Sequence, residues 1–268
     1  MAACWRAMRG ALHLPKNYQM IKSRNINFGS RFQQTQSVLN VVQTEDPPKL
    51  EMPDPLSYHD FFEVRNLCTV KNLFDARVHY GHTMGTLNEH MKQFIIGERL
   101  GTLIFDLDQT IELLGEALNF TAHIAFRGGI IMFAARYKQN SFLIENTAIE
   151  CGEYCFTREW TTGVFTDSNR FGMMTRLPDL VILLNTLDTV FEIHKGVIES
   201  NKLLIPTVGI VDTNCFPNYI TYPVPGNDDT PQAVELYCSL FKEAVLRGKA
   251  KRKEFIEKYC GGDLEEKK

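Results

Sequence analysis

The sequence predicts a three-layer α/β domain on a mostly parallel sheet. Two observations carry this. Short apolar runs alternate with helix-period segments about five times between residues 61 and 248, the pattern of strand–helix crossover units. The runs Leu180–Leu184 and Leu203–Val211 are near-continuously apolar rather than alternating, as strands covered on both faces read.

Along the chain, residues 1–45 come first. The six cations Arg6, Arg9, Lys16, Lys22, Arg24 and Arg31 precede the first acid, Glu45. Without them the chain holds 23 basic against 32 acidic residues, a net charge of −9. An Arg-bearing, acid-free, Ser-containing leader without a long apolar run has the composition of a mitochondrial transit peptide; a disordered basic arm is the other reading. The net-acidic remainder excludes nucleic-acid binding by bulk charge, so any RNA contact must come from local patches. Residues 46–60 hold four prolines and read as an extended linker.

The α/β domain spans 61–248. Val64, Leu67, Cys68, Val70, Leu73, Phe74 and Val78 follow a helical period, broken at His79–His82. Thr102–Asp106 is a short strand, followed by a helix capped near Asp108 with Ile111, Leu114, Leu118 and Ala122 or Ala125 inward. A strand over 128–135, a helix over 137–151 ended by Gly152, and a brief strand at Tyr154–Phe156 come next. Residues 158–177 are irregular. Leu180–Leu184 is a buried strand, and 188–201 a helix with Val190, Ile193, Val197 and Ile198 inward. The run ending at Val211 leads to Asp212-Thr213-Asn214, polar residues at a strand's carboxyl end, where open α/β sheets place ligands. Ile220, Tyr222 and Val224 alternate between prolines, as an edge strand does. Pro231 opens a helix to about Gly248, capped by Asp229 or Thr230. Residues 249–268 form a charged tail.

The chemistry expected of such a fold is missing its parts. No glycine-rich turn follows Phe105 or Phe133, no GxxxxGK[ST] occurs, and there is no GxSxG elbow. His79 and His82, with Asp75 or Glu89, have loose metal-ligand spacing, but a lone HxxH is more often packing or hydrogen bonding. Asp106, Asp108, Asp179 and Asp212 sit at strand ends as caps and turn residues. Seven scattered cysteines without a CxxC fit neutral thiols in a reducing compartment. The candidates for RNA or interface contact are therefore loop cations and aromatics: Arg77, His79, His82, Lys92, Arg99, Arg136, Lys138, Arg158, Trp160 and Arg170. Asp212, Asn214, Gly226, Asn227, Asp228 and Asp229 read as a structural turn. No catalytic residue, cofactor, metal, membrane contact or small-molecule substrate is expected.

In order along the chain, Ala76-Arg-Val-His-Tyr-Gly-His82, Ile96-Gly-Glu-Arg-Leu-Gly101, Ile104-Phe-Asp-Leu-Asp-Gln-Thr110, Arg158-Glu-Trp160 with Gly163-Val-Phe-Thr166, Leu177-Pro-Asp179, Val211-Asp-Thr-Asn214 and Tyr222-Pro-Val-Pro-Gly-Asn-Asp-Asp229 resemble the S-two family of small-subunit ribosomal proteins. With its leader the chain looks like the mitochondrial member. The resemblance implies a flavodoxin-like (Rossmann-like) domain and a non-enzymatic constituent of the mitochondrial small ribosomal subunit. It also implies contacts with small-subunit mitochondrial rRNA and other small-subunit ribosomal proteins, in the mitochondrial matrix. A flavodoxin-like nucleotide-binding enzyme and an off-ribosome adaptor are the alternatives. Bacterial members carry a long charged coiled-coil hairpin between the Trp motif and Leu-Pro-Asp; here about ten residues separate Thr166 from Leu177, so that insertion is lacking. The run Thr83–Glu89 also replaces the family's usual Arg-Trp-Asn-Pro-like segment.

Overall fold

A computed structural model of the chain describes residues 54–167, 176–189 and 192–260. The leader, the start of the linker, Arg170, Val190 and the last eight residues lie outside the described residues. Two sheets are present among them. The larger has five strands, β4 (Ile131–Ala134), β5 (Tyr154–Phe156), β6 (Leu180–Leu183), β7 (Thr207–Val211) and β8 (Tyr222–Pro225), in the order β5-β4-β6-β7-β8. Every neighbouring pair is parallel, with Ile131 opposite Leu180, Val181 opposite Thr207 and Val208 opposite Tyr222. Every residue of β6 and β7 is buried, which is why their sequences are continuous apolar runs. Pro223 and Pro225 lie on the edge strand β8, where a missing donor is tolerated.

Helices cover this sheet and give the three layers. The helix α2 (Leu107–Arg127) begins where the Asp106 carboxylate accepts the Asp108 N–H at 3.1 Å, and ends on Gly128 in the left-handed region at φ 73°. The cap is thus Asp106, in the neighbourhood of Asp108 that the sequence indicates. Its inward face, Leu114, Ala117, Leu118, Ala122 and Ala125, packs with Ile131, Phe133, Leu180, Ile182, Val208 and Ile210. The helix α3 (Ser141–Cys151) ends on Gly152 as the sequence predicts. Buried Cys68, Cys151 and Cys238 are free thiols whose pKa burial pushes up to about 11, 11 and 12, so they stay neutral.

Four expectations change. First, Thr102–Phe105 is a strand, β3, but belongs to a separate antiparallel sheet with β1 (Tyr80–Thr83) and β2 (Ile95–Arg99), in the order β1-β3-β2. The turn joining β2 to β3 is only Leu100-Gly101, both at positive φ (53° and 80°). So short a connection can only reverse the chain. Second, the helical period from 61 to 78 yields only a 3-10 turn at Arg65–Leu67 and one short α-helix, α1 (Val70–Asp75), because Glu63 and Arg77 take left-handed φ of 54° and 61° and interrupt it. Phe62, Val64, Leu73 and Val78 are nonetheless buried. Third, the helix expected from 188 is α4 (Lys195–Lys202), begun where the His194 ring accepts the Gly196 N–H at 3.1 Å. The late start turns Val197 inward and leaves Ile198 exposed.

Fourth, the last helix, α5 (Pro231–Cys260), continues past Gly248 through the segment read as tail. Gly248 is a close-approach residue and not a terminator. A Cβ there would lie 2.5 Å from the Ala122 carbonyl oxygen and 2.9 Å from Ala125 Cβ on α2. Beyond it, Lys249 donates to the Cys151 carbonyl and pairs with Glu153 at 2.5 Å, fastening the extension to α3. Gly248→Ala gains about 1 kcal/mol of helix propensity and loses about 1–3 kcal/mol by forcing α2 and α5 apart. The expected result is a net loss near 1 kcal/mol, read as a lower urea midpoint.

Candidate functional site

The carboxyl ends of the parallel strands form a row of loops whose charges follow strand order. Arg136 and Lys138 come after β4, and Arg158 after β5; all three are exposed. Asn185 follows β6, Asp212 follows β7, and Asn227, Asp228 and Asp229 follow β8. Cations therefore occupy the β5/β4 end of the row and carboxylates the β7/β8 end.

At the acidic end the side chains are spent on one another. His82 reaches across from β1 with Nδ1 3.1 Å from Asp212 Oδ2 and Nε2 3.4 Å from Asp229 Oδ2. Its backbone N–H donates to Thr213 Oγ1 at 3.0 Å. Gly81 makes this approach possible, because a Cβ there would collide with the Thr213 side chain. The hydrogen bond to Asp212 raises the His82 pKa to about 9 against the opposing effect of burial, with Asp212, Asp229 and Asp228 adding charge. His82 is thus the cation between two carboxylates. The ligand-capable atoms of His82, Asp212 and Asp229 lie within 4.8 Å of one another, the geometry in which an ion could be shared. With a proton on each ring nitrogen, His82 supplies the positive charge itself.

Asp228 is 6% exposed and accepts from Asn185 Nδ2 at 3.2 Å. Burial, then the charges of Asp212 and Asp229, push its pKa up to about 8. Asn227 fixes the turn twice: Oδ1 accepts the Asp229 N–H at 2.9 Å, and Nδ2 donates to the Arg77 carbonyl at 3.2 Å. The Thr230 carbonyl then accepts the Val234 N–H at 3.1 Å to start α5. A buried carboxyl that keeps its proton in the fold but loses it on unfolding weakens the protein as pH rises between those two pKa values. Wild-type stability therefore falls from about pH 4 to about pH 8 through Asp228. Asp228→Asn keeps an acceptor for Asn185 and removes that slope. It is expected to exceed wild type by more than about 1.4 kcal/mol at neutral pH, the equivalent of one pKa unit, with the gap closing in acid. Urea unfolding across pH measures it.

The expected contact residues divide. Arg77, Lys92, Arg99, Arg136, Lys138 and Arg158 are exposed, with Lys92 3.2 Å from Glu89. Three others are corrected. Trp160 is 2% exposed, packed edge-on to Phe156, Phe165 and His194 at 4.7–5.5 Å, so its ring is core and offers no face to RNA. His79 is 7% exposed between Phe74 and Tyr80, and burial lowers its pKa. His82 is held by the carboxylates just described. Arg170 lies outside the described residues. The turn residues Asp212, Gly226, Asn227 and Asp228 are buried, Asn214 is half-buried, and Asp229 is exposed toward His82.

Sequence reasoning missed Glu199. It is 3% exposed on α4 and accepts the Gly163 N–H at 2.5 Å and the Phe165 N–H at 2.9 Å. An acid at the helix position beside Val197 and Ser200 was the only sequence signal. Asp179, read as a turn residue, instead ties two segments, its Oδ2 accepting the Ile130 N–H at 2.8 Å.

The family profile described as Ribosomal protein S2 matches residues 73–172 and 169–248. The chain is 53% identical over 209 residues to the small ribosomal subunit protein uS2m of Bos taurus, covering 78% of this chain and 71% of that protein. It is 30% identical over 240 residues to the small ribosomal subunit protein uS2 of Rhizobium rhizogenes, covering 74% and 92%. It is 31% identical over 225 residues to uS2 of Phenylobacterium zucineum, covering 68% and 75%. The five-stranded parallel sheet, the flanking helices and the buried turn after β8 are thus the scaffold of a chain that belongs to the ribosomal protein S2 family.

Proposed function

We propose that the protein is a non-enzymatic structural constituent of the mitochondrial small ribosomal subunit, acting in the matrix. It contacts small-subunit mitochondrial rRNA through exposed loop cations and neighbouring ribosomal proteins through the rest of its surface. The observation that carries this reading is the 53% identity to the bovine mitochondrial relative over most of both chains. The charge row supports it: Arg136, Lys138 and Arg158 present donors for phosphates at one end of the strand edge, while the carboxylates at the other end are neutralised internally by His82. Arg77, Lys92 and Arg99 add cations on and beside the small sheet.

A flavodoxin-like nucleotide-binding enzyme fits less well. Such a site needs glycine-rich turns whose amides approach phosphate, and no such turn follows Phe105 or Phe133. An off-ribosome adaptor is distinguished by where the protein migrates. In a sucrose gradient of matrix extract, tagged protein is expected to co-sediment with the small subunit. Migration as a free monomer, with normal subunit assembly after depletion, overturns the proposal.

A further inference from the structure

Phe74, His79 and Tyr80 form a short stack of rings at the surface beside α1. Phe74 and His79 are parallel within 6°, their centroids 4.5 Å apart, and Tyr80 follows at 4.1 Å with a 40° tilt. The middle ring is buried; Phe74 is 58% exposed and Tyr80 44%. One face of Phe74 is taken by His79, so its exposure lies on the opposite, outward face. A phenylalanine left this open contributes little to the core.

Two exposed cations stand three residues to either side of Phe74 in the sequence. Lys71 precedes Phe74 by three residues on α1, one turn away on the same side of the helix. Arg77 follows by three, just past the helix end, and both are exposed. The Arg77 backbone is pinned: its φ is 61°, and its carbonyl accepts from Asn227 Nδ2 at 3.2 Å, while the next carbonyl, that of Val78, accepts the Asn227 N–H at 3.1 Å. Asp75, the acid in the segment, lies about 100° round the helix from Phe74. The rings and the cation are thus held in a fixed relation by the buried turn after β8. An open aromatic face with an exposed cation three residues before it and another three residues after it suits a nucleotide, whose base stacks and whose flanking phosphates pair. An aliphatic protein surface would have no use for the charges.

We propose that the outer face of Phe74 is a stacking platform for an unpaired RNA base, with Lys71 and Arg77 taking the adjoining phosphates and His79 backing the ring from within. This rests on the ribosomal reading and adds to it a position the sequence did not suggest. Stacking of this kind tolerates any base, because each has a π face.

The test uses the assembled small subunit. Short-wave ultraviolet irradiation, nuclease trimming and trypsin release the peptide spanning residues 72–77, which contains Phe74. The expected result is a nucleotide-mass adduct on that peptide, localised to Phe74. Phe74→Ala should remove the adduct and weaken salt-resistant retention on the subunit about tenfold, with Phe74→Tyr restoring both. Recovery of peptide 72–77 without nucleotide, while other peptides of the same chain carry it, overturns the proposal and leaves the ribosomal reading standing. So does a Phe74→Ala protein retained like wild type. Failure of wild-type protein to co-sediment with the subunit overturns both.

Discussion

Replacing His82 with alanine is expected to lower the free energy of unfolding by about 3 kcal/mol near neutral pH, because it leaves buried carboxylate charge without its cation. Asp212 is 1% exposed and would keep only the Thr213 N–H as a donor to its side chain. Asp229 is half-exposed, so water replaces most of what it loses. The pH dependence is the sharper test. His82 has a folded pKa near 9 against an ordinary 6.5. A group whose pKa rises on folding contributes fully below its unfolded pKa, and that contribution disappears as pH rises through the folded value. The wild-type protein is therefore expected to keep the His82 contribution below about pH 6.5 and lose it by about pH 10, where His82→Ala and wild type converge. Urea unfolding of both proteins at the two ends of that window checks it. A difference that stayed constant across the window would mean that His82 acts by packing and not by charge.

Glu199→Ala is the second large effect, expected at about 3 kcal/mol, since a buried and a half-buried backbone donor lose their acceptor together. The donors belong to Gly163 and Phe165, so the loss is focused on the segment that covers Trp160. Trp160 fluorescence should shift to the red, and proteolytic cleavage between 161 and 167 should appear under native conditions. Glu199→Gln keeps one acceptor oxygen and should recover part of both stability and protection. An unchanged emission spectrum in the alanine variant would show that the segment is held by its apolar contacts alone.

The parts of the fold legible in the sequence were those set by local chemistry. Gly152 ends α3 because a left-handed glycine is needed at that end, whatever the helix packs against. The continuous apolar runs of β6 and β7 announced burial on both faces. What failed depended on partners far along the chain. Gly248 reads as a stop signal, and only the approach of α2 shows that its missing side chain serves a contact. Thr102–Phe105 reads as a strand in either sheet, and the neighbour that decides, β2, lies two residues before it through a turn whose first residue is leucine in place of the usual asparagine or glycine. The site divided in the same way. Loop position correctly indicated that Arg136, Lys138 and Arg158 are exposed, whereas the surroundings of His79, His82 and Trp160 are supplied by residues distant in sequence or by the local path of the backbone. In the Pro-Gly-Asn-Asp-Asp turn, Asn227 bonds to the Arg77 carbonyl and the Asp229 N–H, and Asp228 accepts from Asn185.

The long reach of that turn sets an order of assembly. His82 meets Thr213 across 131 residues, Asn227 meets the Arg77 carbonyl across 150, and Arg247 donates to the Glu63 carbonyl across 184. On a chain that emerges amino end first, residues 63–82 therefore wait for their partners until β7, β8 and α5 have appeared. Phe62, Leu73 and Val78, all buried in the finished protein, are apolar surface without full cover during that interval. Closing such distant loops is slow, so residues 62–82 become protease-resistant only once β7, β8 and α5 have packed against them.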